Sequence, residues 1–104
     1  MISINISKDF SSTPGARYID DGPFSGEEFR KSFLEQPFST DDDDIIEIVL
    51  DGTEGFATSF LEEAFGGLAR NHGKTKCLNR LSFVSRDDDL LVKEILGYIN
   101  AADR

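Results

Sequence analysis

Tryptophan is absent from this chain, and cysteine, histidine and methionine occur once each. The lone Cys77 cannot close an intramolecular disulfide, so a reducing, cytoplasmic setting is expected and packing alone must hold the fold. Apolar residues never run to the roughly 18 in a row that a membrane-spanning helix needs. Residues 1–10 also lack the cationic-then-apolar order of a secretory leader, and no membrane attachment is expected. Positive charge is scarce, with 11 Lys and Arg against 20 Asp and Glu and a net charge of −9. Nucleic acid is a poor partner, because phosphate backbones are bound by clustered cations and these are scattered. No phosphate-binding loop, dinucleotide fingerprint or zinc spacing occurs, so no motif supports an enzyme, a metal site or a cofactor.

The composition, 38% apolar and 30% charged, is that of a globular domain, and nine Phe make a core of Phe, Ile and Leu. A chain of 104 residues has room for one domain, taken as 1–104, with two packed layers. Ile2, Ile4 and Ile6 alternate with polar residues and read as a first strand. A turn follows over residues 9–15, then a short second strand at Arg17, Tyr18 and Ile19. Ser25 and Glu28 have the spacing of a capping box, opening a helix that buries Phe29 and Phe33 and ends before Pro37.

Ile45, Ile46, Ile48, Val49 and Leu50 form a nearly continuous apolar run, the pattern of a central strand covered on both faces. Phe60, Leu61, Ala64, Phe65 and Leu68 recur at helical spacing up to a stop at Gly73. Gly66 and Gly67 weaken that helix, which predicts a close approach of its backbone to the sheet. Leu78, Leu81, Phe83 and Val84 read as another strand. Asp87 to Asp89 then open a last helix burying Leu91, Val92, Ile95, Leu96 and Ile99. The order β-(β)-α-β-α-β-α predicts an α/β fold: a small mixed sheet packed by about three helices.

The junction between the central strand and the second helix carries the strongest functional signal. Thr58 and Ser59 stand where free backbone N–H groups favour an anion or a phosphorylated side chain, and Ser59 also has capping-box spacing to Glu62. Asp41 to Asp44 lack the alternating ligands of a calcium loop and read as a solvated turn. Asp51 and Glu54, in the loop after the strand, could bind Mg²⁺ with a phosphorylated ligand, though no motif demands it. His72 and Cys77 would make a nucleophilic pair only in mutual hydrogen-bond contact, and they are read as a turn histidine and a partly buried thiol near a strand start.

Three blocks, RYIDDGPFSGEEFR from Arg17, IIEIVLDG from Ile45 and TSFLEEAFGGL from Thr58, resemble the STAS-like domain family of unknown function, a small bacterial and phage-associated family. The resemblance covers roughly residues 17–99. It implies a STAS-like fold and a likeness to anti-sigma-factor antagonists, which act by binding a partner and are phosphorylated on a Ser at the start of the helix after a central strand. Ser59 falls at that phosphoacceptor place and Thr58 at the hydroxyl residue before it. Ala57 stands where the antagonists tend to have Asp, and Phe60 where they have Gly, so Phe60 is expected to pack inward. The resemblance also implies a histidine-kinase-type ATPase or anti-sigma-like kinase as partner.

The leading expectation is therefore a non-enzymatic, partner-switching regulatory module. It would bind a protein through Asp51, Thr53, Glu54, Phe56, Glu62 and Glu63, with Ser59 or Thr58 as phosphoacceptor and no cofactor. The alternatives are a small metal-assisted hydrolase or phosphotransfer enzyme built on Asp51, Glu54 and His72, and an acidic decoy of a nucleic-acid-binding protein.

Overall fold

The computed structural model describes residues 1–40 and 42–102. Three strands, β1 (Ile2–Asn5), β2 (Ile46–Val49) and β3 (Leu81–Val84), form a sheet in that spatial order. Both pairings are parallel, with Ile4 opposite Ile48 and Ile48 opposite Phe83. Parallel neighbours require long crossovers, and helices supply them. They are α1 (residues 26–38), α2 (residues 58–72), α3 (Lys74–Arg80) and α4 (Asp89–Ala101).

The α/β class stands, and its details differ from the sequence reading for local reasons. The strand expected at Arg17, Tyr18 and Ile19 does not form. Ile19–Asp21 is instead a 3₁₀ turn, pinned by the Ile19 N–H donating to Glu27 Oε1 at 2.9 Å. Without that strand the described sheet has no antiparallel member, and it is parallel rather than mixed. Leu78 lies on α3, not on a strand, and is exposed. The helix continues to Arg80, whose guanidinium is tied to the carbonyls of Pro37 and Asp44.

β2 is central, but only one of its faces is covered. Ile4, Ile46, Ile48, Leu81 and Phe83 point into the core or pack against it, whereas their alternates Ser3, Asn5, Glu47, Val49, Ser82 and Val84 contribute nothing to it. The apolar run around Ile45 is less continuous than it reads. Ile45 is exposed, and Glu47 interrupts the run and accepts a hydrogen bond from Ser3 Oγ at 2.9 Å on the bare face. Burial at Ile46, Ile48 and Leu50 then follows the period of two that one-sided packing dictates.

α1 begins as read, with Ser25 Oγ accepting from the Glu28 N–H at 3.0 Å. It does not stop before Pro37. Its middle, Arg30–Leu34, is π-helical, and the final turn Glu35–Phe38 contains the proline. Proline lacks an N–H and its ring crowds the carbonyl four residues back, and the wider π turn directly ahead of it loosens that constraint. α2 has the same build, with a π-helical segment Glu62–Gly66 between α-helical ends. Gly73, at φ +93°, turns the chain from α2 into α3 in a conformation that side chains disfavour.

Phe29 joins these layers. Its ring centroid lies 5.2–6.2 Å from those of Phe10, Phe33, Phe60 and Phe65, and Phe65 in turn meets Phe83 of β3 at 5.4 Å. Phe60 is fully buried, as its bulk at that position requires. Close approach of α1 to α2 depends on Gly26, where a Cβ would fall 2.4 Å from the Phe60 carbonyl oxygen and 3.1 Å from the Ala64 nitrogen. Backbone atoms cannot yield as a side-chain tip can. Gly26→Ala is expected to destabilise by about 1–3 kcal/mol despite the better helix propensity of Ala, read as a lower midpoint in urea unfolding.

Candidate functional site

Parallel sheets present the loops that follow their strands along one edge, where α/β proteins place ligands and partners. Here that edge is built from residues 50–57 after β2 and residues 85–88 after β3. Asp51 ties the two loops together, with its Oδ1 accepting from the N–H groups of Arg86 at 2.7 Å and Asp87 at 2.9 Å. Its Oδ2 is buried with no partner among the described residues. Gly52, at φ +95°, carries the chain onward, donating to Asp87 Oδ2 at 3.2 Å and accepting from Ser7 Oγ at 2.9 Å. The Glu54 N–H donates to the Ser12 carbonyl at 2.8 Å. Asp51 thus organises the loops, and Thr53 and Glu54 are left on the rim.

Between the loops lies a cleft of about 220 Å³, lined by Thr53, Glu54, Phe56, Asp87, Asp88 and Glu94 among others. Phe56 is half-buried, with its ring 5.9 Å from that of Phe60. Glu94 accepts from the Tyr98 hydroxyl at 2.6 Å, which together with partial burial pushes the phenol above its usual range, and the Thr58 hydroxyl lies close by. Leu91 also lines the cleft, and its neighbour Leu90, two residues after Asp88 and one helical turn before Glu94, is 71% exposed. The result is an acidic rim with an apolar residue standing on it.

Thr58 and Ser59 occupy the first turn of α2, and the residue at the cap is Ala57. No side chain caps this helix, so the expected Ser59–Glu62 capping box is absent. The helix starts earlier than that spacing implies, which puts Ser59 inside its first turn, and Glu62 is engaged elsewhere. Glu62 Oε1 accepts from Arg17 Nη1 at 2.6 Å, and its Oε2 pairs with Arg70. The Arg70 bond foremost, with help from Arg17, outweighs partial burial and holds the Glu62 carboxyl below its ordinary range. Glu63, expected on an exposed face, is 6% exposed and bonded to Arg30 Nη2 at 2.7 Å. These cations explain the glycine pair. A Cβ on Gly66 would meet Glu62 Oε2 at 2.6 Å and one on Gly67 would meet Arg30 Nε at 2.8 Å, so the close approach is to ion pairs and not to the sheet.

Glu35 also sits in this network. Burial pushes its carboxyl up, but bonds from His72, Arg30 and Asn71 more than offset that and leave it below the ordinary range. A carboxylate whose folded value lies below its unfolded one stabilises the fold above the unfolded value, and that gain is lost as pH falls through the folded value. With ordinary values of 4.5 for Glu35 and Glu62, stability should drop as the pH is taken below that point. Urea unfolding at pH 7 and near pH 3.5 should show a smaller acid loss for Glu62→Gln than for the unaltered chain, and equal losses would count against the Arg70 and Arg17 pairing.

His72 Nε2 lies 2.6 Å from Glu35 Oε1, on the far side of the molecule from the rim. Cys77 is fully buried on α3, not at a strand start, and burial, with Glu35 nearby, pushes its thiol up to about 12. Such a thiol is protonated at neutral pH and is a poor nucleophile. Asp51, Glu54 and His72 do not converge: Glu54 lines the rim cleft, whereas His72 lines a separate cavity. No group of three or more His, Cys, Asp or Glu among the described residues could hold a metal ion. Asp42 to Asp44 are exposed, and Asp41 lies outside the described residues.

Of the residues read from sequence, the structure brings Thr53, Glu54 and Phe56 into one cleft, places Thr58 near Tyr98, and withdraws Glu62 and Glu63 into ion pairs. It adds Asp87, Asp88, Leu91 and Glu94, which the sequence reading treated only as parts of a helix start and a helix. Asp87 follows β3 as Asp51 follows β2, and that parallel position was the available signal. Among the described residues, no helix is long and apolar enough to cross a membrane. A family model described as "STAS-like domain of unknown function (DUF4325)" matches residues 25–91. No curated protein and no solved structure matches the chain.

Proposed function

Since the chain belongs to the family of STAS-like domains of unknown function, we propose that it is a non-enzymatic regulatory module that binds a protein partner through the rim at the strand ends. The observation that carries this reading is Leu90, 71% exposed two residues after Asp88 and one helical turn before Glu94, next in the chain to Leu91, which lines the cleft with Glu54 and Asp87. An apolar anchor flanked by acids fits a partner surface that pairs an apolar pocket with Lys or Arg, because complementary charge steers encounter and apolar burial supplies affinity. The histidine-kinase-type ATPase implied by the family resemblance is the partner class we assign. Thr58 and Ser59, on an uncapped first turn next to the rim, are where phosphorylation would act. A phosphoryl group there adds about 1.5 to 2 negative charges to a surface that is already acidic, which weakens a contact or changes the partner.

Binding of the purified chain to such an ATPase, measured by calorimetry, should be lost in Leu90→Asp and weakened at least tenfold in a Glu54→Lys, Asp88→Lys double variant. Ser59→Asp should shift the affinity. Variants that remain folded and bind unchanged would remove the rim as the contact surface.

A further inference from the structure

At the opposite end of the sheet, where β2 and β3 begin, lies a larger cleft of about 760 Å³, within the size range of small-molecule sites. Lys74, Lys76, Asn79 and Arg80 line it from α3, together with Asp42, Asp43 and His72. Arg80 is 4% exposed. Its Nε donates to the Asp44 carbonyl at 3.0 Å and its Nη1 to the Pro37 carbonyl at 2.7 Å, while its guanidinium lies 5.0 Å from the centre of the Phe38 ring. That leaves Nη2 without a protein acceptor among the described residues. Lys76 Nζ is held by the carbonyls of Phe38 and Thr40.

Carbonyls fix these cations in place without neutralising them. Among the described residues no carboxylate lies within ion-pair distance of Lys74, Lys76 or Arg80. Three cations, none of them in an ion pair among the described residues, thus share one cavity, and one of the three is buried. A buried guanidinium is stabilised by a facing anion.

We infer that this cleft binds a small phosphomonoester, with Arg80 and Lys76 held ready by the backbone and Lys74 closing on the phosphoryl group. A carboxylate offers two acceptor oxygens to three cations, whereas a phosphoryl group offers three. Asp42 and Asp43 only accept hydrogen bonds when ionised, so the rest of the ligand carries hydroxyl donors, as a sugar phosphate does. This cleft is separate from the partner rim, and either assignment can fail without the other.

Amide NMR titration of the full chain tests it, with inorganic phosphate, ribose 5-phosphate and ribose as probes up to about 10 mM. Ribose 5-phosphate should give saturable shifts centred on residues 72–80 and bind more tightly than inorganic phosphate, and ribose should give none. Lys74→Gln, at an exposed residue with no hydrogen bond or ion pair among the described residues, should weaken binding roughly fivefold or more with the spectrum otherwise intact. The assignment is overturned by absence of saturation, by shifts confined to residues 51–59, by ribose binding as well as its phosphate, or by unchanged affinity in Lys74→Gln and Lys76→Gln.

Discussion

Arg30→Ala is expected to destabilise the chain by about 3–5 kcal/mol, the loss typical when one member of a buried ion pair is removed. Arg30 is 8% exposed and crosses from α1 to α2, where its Nη2 and Nε bond to the Glu63 carboxylate at 2.7 Å and the Glu63 carbonyl at 3.2 Å. Its Nη1 reaches Glu35 at 2.7 Å. Burial acts to lower the guanidinium pKa, and the Glu35 and Glu63 bonds outweigh it and raise the value. Without Arg30, Glu63 keeps only distant cations, Arg70 at 3.6 Å and Arg17 at 4.0 Å, and remains buried. The loss should therefore arise mainly from the stranded carboxylate. An Arg30→Met, Glu63→Leu double variant, which removes both charges, should recover most of it in urea unfolding. A single variant that loses less than about 1 kcal/mol would show that the pair is screened like a surface pair.

Phe29→Ala should have an effect of the same size, about 3–5 kcal/mol, by a different mechanism. The side chain is fully buried and its ring meets four others, so truncation removes apolar contact and leaves a cavity that rigid neighbours cannot fill. Phe29→Leu, which conserves most of the volume, should lose about 1.5 kcal/mol or less. Against a total of about 5–15 kcal/mol for a domain of this size, the alanine variant removes a large share of the stability. Thermal unfolding followed by circular dichroism gives the ranking, and near-equal losses for Ala and Leu would contradict a tightly packed aromatic cluster.

Features set by nearby residues were legible in the sequence. The strand at Ile46 and Ile48, the Ser25 cap, the inward Phe60 and the stop at Gly73 each depend on a few neighbours or on a simple period. Features that depend on distant residues were not. Glu62 reads as a cap partner for Ser59, but the helix starts at Thr58 and Glu62 is taken up by Arg17, 45 positions earlier. α3 escaped notice because its sequence is mostly polar and offers only Cys77 and Leu78 as apolar positions, of which only Cys77 is buried. Glu63 followed by glycines three and four positions on is the pattern that could have revealed a long cation lying across α2. At the site, Thr53, Glu54 and Phe56 could be found by following β2 to its end, while Asp87 and Asp88 required knowing that β3 pairs beside β2.

The single thiol provides a means of following motion. Cys77 is fully buried on the helix that carries Lys74, Lys76 and Arg80, and its proton is held up to about pH 12. A thiol reagent can reach it only when α3 lifts from the core, so its labelling rate measures the free energy of that opening. The chain thus contains a native gauge of how firmly one end of the molecule is closed, and any ligand that fastens α3 should slow the reaction.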